Sequence, residues 1–165
     1  MTVNTKDVQD RRTLSFQKIE DLKAEIDRIA STSTQVSGNW TAGQIIEHLA
    51  STMRMAITRN LGWKAPLLMR ILSPICFKKK FLTQTIPSGF NIPDGAKHLF
   101  APPEKASIQE AAETFNKAYE NYINSSFVAK HPFLGKLTRD QWDQFQLRHA
   151  EMHLSFVMDV AENSE

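Results

Sequence analysis

Four stretches of this chain repeat apolar residues every three or four positions, the signature of helices with one buried face. The first runs from about Thr5 to Ile29, with Phe16, Ile19, Leu22, Ile26 and Ile29 on the repeat. A Ser/Thr-rich run, Ser31 to Ser37 and then Gly38, ends it. The second opens at Thr41-Ala42-Gly43-Gln44, where the threonine hydroxyl can take an orphan backbone N–H and the glutamine can reach back. Ile45, Leu49, Met53, Ala56 and Ile57 mark its buried side. Ser107-Ile108-Gln109-Glu110 opens the third, which continues to about Asn124, and Thr138-Arg139-Asp140-Gln141 opens the fourth, which runs to about Ala161. Three start signals of one kind, each ahead of an apolar repeat, predict three well-defined helix origins.

Between the second and third helices, Leu61 to Lys105 holds six of the seven prolines. Leu67 to Cys76 reads as a short helix stopped near Pro74. The rest, including Pro87-Ser88-Gly89 and Pro93-Asp94-Gly95, reads as turns. Loops this long in compact domains tend to cover a site. Strand-like alternation is scarce, so the expected fold is all-α: a four-helix bundle, one domain over residues 1–165, with a long crossover between helices 2 and 3. Folding a chain of this length buries roughly two-thirds of its unfolded surface. Hydrophobic content of 41% and charged content of 23% argue against disorder and fibrous folds. A single cysteine, Cys76, excludes an internal disulfide and any thiolate zinc finger. Met1 to Arg12 lacks an apolar core of the signal-peptide kind, and no run is long enough for a membrane span; a cytoplasmic location is expected.

His149 and His153 stand four residues apart in the fourth repeat. At about 100° per residue they lie roughly 40° apart, so both rings face the same way. Trp142, Phe145, Phe156, Val157 and Val160 are expected on that face. Two imidazoles inside an apolar stripe each need a hydrogen-bond partner or a metal. An i,i+4 pair can chelate one ion, but a third ligand must come from His48, His98, His131 or a carboxylate. His48, i+3 from Ile45 and at the margin of the second helix's apolar arc, is the best placed by pattern. Glu47 and Glu151 rotate to the far sides of their helices, so the His-Glu-x-x-His arrangement of metalloproteases is absent.

The stretch Asn39-Trp40-Thr41-Ala42-Gly43-Gln44-Ile45-Ile46-Glu47-His48-Leu49-Ala50 resembles the second-helix signature of the DinB-like (YfiT-like) superfamily of metalloenzymes. His131-Pro132-Phe133-Leu134-Gly135-Lys136-Leu137-Thr138, Trp142 and Arg148-His149-Ala150-Glu151-Met152-His153-Leu154 are similar to a domain-of-unknown-function branch of that superfamily. The resemblance implies a divalent ion held by His48, His149 and His153. It also implies, more distantly, chemistry on a small-molecule substrate such as a low-molecular-weight thiol, which a bound ion would deprotonate. Imidazole ligands suit zinc, nickel, copper and iron alike, so the sequence does not decide among them; zinc or nickel is the first expectation.

Gln146, one turn before His149, is expected to orient a ligand or bound water, or to sit at a helix–helix boundary. His131 is expected to line the pocket or relay a proton, or else to be a loop histidine ahead of Pro132. His98 reads as surface, and Cys76 as a buried, inert thiol among Pro74, Ile75 and Phe77. The net charge of +2 hides an asymmetry: His48 to Pro93 contains no Asp or Glu, while Arg54, Arg59, Lys64, Arg70 and Lys78 to Lys80 are all basic. Such a segment, interleaved with apolar residues, would be a solvated basic cover, would steer an acidic substrate, or would touch anionic lipid. The solvated cover is the default, and membrane contact is not expected. No groove-reading or base-stacking motif accompanies the basic residues, so nucleic acid is not expected as a partner. The leading reading is a metal-dependent transferase or hydrolase. Its alternatives are a metal-stabilised bundle acting in assembly, a homodimer included, and a membrane-surface protein using the basic segment 54–80.

Overall fold

The computed structural model describes residues 2–90 and 92–160, which are mostly helical. In chain order the helices are α1 (Ile19–Ser31), α2 (Ala42–Ile57), α3 (Leu67–Cys76), α4 (Lys78–Thr83), α5 (Lys97–Phe100), α6 (Ile108–Ile123) and α7 (Arg139–Leu154). Two short strands, β1 (Thr34–Val36) and β2 (Val157–Asp159), pair antiparallel with Val36 opposite Val157 and Thr34 opposite Asp159. Among the described residues no helix is long and apolar enough to cross a membrane.

The four longest helices enclose the core: α2 lies along α6, α1 against α6 and α7, and α7 against α2. Leu22, Ile26, Ile46, Leu49, Met53, Phe115, Tyr122, Trp142 and Leu147 are fully buried between them. Gly43 permits the closest approach, because a Cβ there would stand 2.2 Å from the Ala106 carbonyl oxygen. Both the Thr41–Gln44 and Thr138–Gln141 caps form as reciprocal pairs. At Ser107 the hydroxyl takes the Glu110 N–H, but the Glu110 carboxylate accepts from the Ser107 hydroxyl instead of a backbone N–H.

Several sequence expectations are corrected. The first helix begins at Ile19 and not near Thr5, because the Asp21 carboxylate accepts from the backbone N–H groups of Gln17 and Lys18 and caps it there. Upstream, the chain is drawn across the end of α7: Arg11 donates to the Ser155 hydroxyl and the Met152 carbonyl, and Arg12 N–H to the Ser155 carbonyl. Those same bonds end α7 at Leu154, so Phe156 and Val157 reach the core from a strand and its approach, and Val160 is exposed. Ala161 lies outside the described residues. The region read as turns contains α4, a 3-10 turn at Asp94–Ala96 and α5. Cys76 is exposed, because α3 is a covering helix whose neighbouring Ile75 and Phe77 are exposed as well.

Candidate metal centre

His48 leaves α2 one turn before Thr52 and is buried; His149 and His153 leave α7 and keep part of their surface on a cavity wall. The His48 Nδ1 lies 2.6 Å from the Phe100 carbonyl oxygen. A carbonyl only accepts, so Nδ1 carries the proton and the Nε2 lone pair is free. That Nε2 is 3.3 Å from His149 Nε2, which is 3.1 Å from His153 Nε2. One ligand atom from each ring falls within 4.8 Å of the others. Lone pairs facing at such distances repel unless a proton or a cation lies between them.

Aromatic stacking holds the two α7 rings. Phe145 lies over His149 with centroids 5.5 Å apart, and Trp40 over His153 at 5.4 Å, nearly parallel. His149 Nδ1 is sealed from solvent with no partner, so no hydrogen bond at that nitrogen sets the ring's orientation. Burial pushes the His48 ring down to about 4, against the pull of the Phe100 carbonyl. Burial, and then the charge each neighbouring imidazole would carry, holds His149 and His153 well below the ordinary histidine value. All three are therefore neutral near pH 7, the state in which imidazole ligates.

The cluster borders a cavity of about 1010 Å³. Trp40, Phe133, Phe145 and Phe156 line it from the bundle side, and Met69, Phe77, Phe81 and Phe90 from the crossover segment, which does cover the site. Gln146 is not in that lining. Its Oε1 accepts from the Thr52 hydroxyl at 3.0 Å and its Nε2 donates to the Thr52 carbonyl at 2.9 Å, which pins α7 to α2. Of the two roles expected for Gln146, it fills the helix–helix one.

His131 does line the cavity. Its backbone pairs with Gly135, whose φ of +72° closes the turn. The Phe133 and Leu134 N–H groups donate to its Nδ1 at 3.1 and 3.0 Å. The ring is thus the Nε2–H tautomer, and burial lowers it to about 3. It can donate into the cavity, but it cannot accept a proton without breaking two bonds. His98 is exposed on α5, as expected. The anchoring Phe100 carbonyl was invisible in the sequence, since any residue supplies one. Trp40 lies inside the motif that carries the resemblance, but only the fold sets it against His153.

Residues 8–160 match a family described as a protein of unknown function, DUF1569. No curated protein and no solved structure matches the chain.

Proposed function

The chain belongs to the DUF1569 family, and we propose that it is a metal-dependent enzyme on a four-helix bundle of the DinB-like kind. In this reading His48, His149 and His153 hold one divalent transition ion, zinc or nickel. The observation that carries it is the approach of three Nε2 atoms, at 3.3 and 3.1 Å along the chain of rings. A tetrahedral ion bound at 2.0–2.1 Å would space its donors by ~3.3 Å, so the rings fit with little movement. The unpaired His149 Nδ1 is the one feature such a site ordinarily lacks, because ligating histidines usually donate their second N–H. Stacking on Phe145 takes over that orienting role.

When bound, the ion supplies an electrophilic position that acidifies a water or a small thiol, suited to hydrolysis or thiol transfer. The Phe100 carbonyl keeps His48 in the ligating tautomer. The aromatic walls exclude water and take the apolar part of a small-molecule substrate. His131, with its proton held on Nε2, donates to an acceptor oxygen or sulfur of that substrate and does not serve as the base.

Elemental analysis of protein purified without an affinity tag tests the site. Wild type should retain zinc or nickel stoichiometrically and His149→Ala, His48→Ala and His153→Ala should not. A wild type that neither retains nor takes up either metal sinks the reading. Turnover of thiol–electrophile pairs by the metal-loaded protein then separates an enzyme from a metal-stabilised scaffold.

A further inference from the structure

Helix α3 is apolar on both sides. Met69 and Ser73, one turn apart, and Phe77 just past the helix end face the cavity. The opposite side carries Leu67, Leu68, Ile71, Leu72 and Ile75, all exposed, with Leu68 at 68% and Ile75 at 78%. Only Ser73 of this helix is buried. Five large aliphatic side chains on one contiguous exposed face exceed what soluble monomers ordinarily leave open.

The surroundings of that face are basic. Arg70 flanks it, Lys64 precedes it, and Lys79 and Lys80 project from α4 directly after it, all exposed. None of the ion pairs among the described residues engages these four, and no acidic residue occurs between His48 and Pro93. A second copy seated here by two-fold symmetry would bring this cationic cluster against itself. An anionic lipid surface offers phosphates to the cations and acyl chains to the aliphatic face.

We propose that α3 and the start of α4 form a docking surface for anionic membrane, with Leu68, Ile71, Leu72 and Ile75 entering the acyl boundary. Because the inner side of α3 is a wall of the cavity, docking places that wall between the lipid and the histidine cluster. The surface stands or falls independently of the metal.

Sedimentation of the full-length protein with phosphatidylcholine vesicles, with and without phosphatidylserine, tests this over a salt series. Binding should require phosphatidylserine and weaken as salt rises. Ile75→Ser with Leu68→Ser should lower partitioning by about tenfold or more, since each change removes a buried aliphatic group. Lys79→Glu with Lys80→Glu should abolish the salt-sensitive part. All four positions are exposed, and circular dichroism checks that the variants fold. Absence of binding to phosphatidylserine vesicles at low salt overturns the proposal. So does a concentration-dependent dimer in analytical ultracentrifugation that disappears in the serine variant while vesicles remain unbound, which would assign the face to a second copy.

Discussion

The two sides of α7 carry opposite kinds of buried polarity. On one side His149 and His153 meet His48 nitrogen to nitrogen, with apolar neighbours and a cavity in front of them. On the other, Glu151 is 1% exposed and both its oxygens are taken. Oε1 accepts from the Phe16 N–H at 2.8 Å and pairs with Arg148 at 2.9 Å, and Oε2 accepts from the Thr85 hydroxyl at 2.8 Å. Arg148 Nη2 in turn donates to the Phe16 carbonyl, while its Nε is buried without a partner. Residues adjacent in sequence thus do different work. Carboxylate bonds tie the N-terminal segment and the stretch after α4 to the helix, while the three imidazoles gather at a cavity. Buried polarity points to function where hydrogen-bonding capacity is left over, and to stability where it is used up.

The largest effect is expected from Glu151→Ala, on the saturated side. It leaves the largely buried Arg148 without its counter-charge and the Phe16 N–H and Thr85 hydroxyl without their acceptor, so unfolding in urea should show a loss of about 3 kcal/mol. His149→Ala in metal-free protein should change stability by no more than about 1 kcal/mol, because its Nδ1 already lacks a partner. Equal losses for the two would dissolve the distinction between the two sides.

His131 extends the contrast to pH. Its folded value of about 3 lies below the ordinary 6.5. Below pH 6.5 the unfolded chain therefore takes up a proton that the native ring refuses. The stability this residue permits is complete above pH 6.5 and is lost as pH falls towards 3, by about 1.4 kcal/mol per pH unit. In His131→Asn the amide oxygen would accept from the same two N–H groups without titrating. Chemical unfolding of that variant between pH 6 and 4 should show a flatter pH dependence by about one proton; an unchanged slope would mean the ring is not held neutral by the fold.

A similarly small effect belongs to Thr52→Ala, which removes one neutral hydrogen bond to Gln146 and should cost about 1 kcal/mol in thermal or urea unfolding. Metal retention should be unaffected, since Gln146 ties helices and lies outside the cavity lining. A loss of metal in this variant would return Gln146 to the site.

Much of the helical frame is legible in the amino-acid order alone. The start signals at Thr41, Ser107 and Thr138 are local, because a side chain three residues away from its backbone partner needs no tertiary help. The candidate trio is legible for the same reason in part: four-residue spacing puts His149 and His153 on one side of a helix whatever that helix packs against. Where α7 ends is not, since Arg11 and Arg12 reach its last turn and the residues after it from more than a hundred residues away. Nor could any local pattern show that Glu151 is saturated, that the Phe100 carbonyl fixes the His48 tautomer, or that α3 turns an apolar face to solvent. Periodicity records which residues resemble one another, whereas hydrogen-bond capacity and exposure depend on what distant chain is brought alongside.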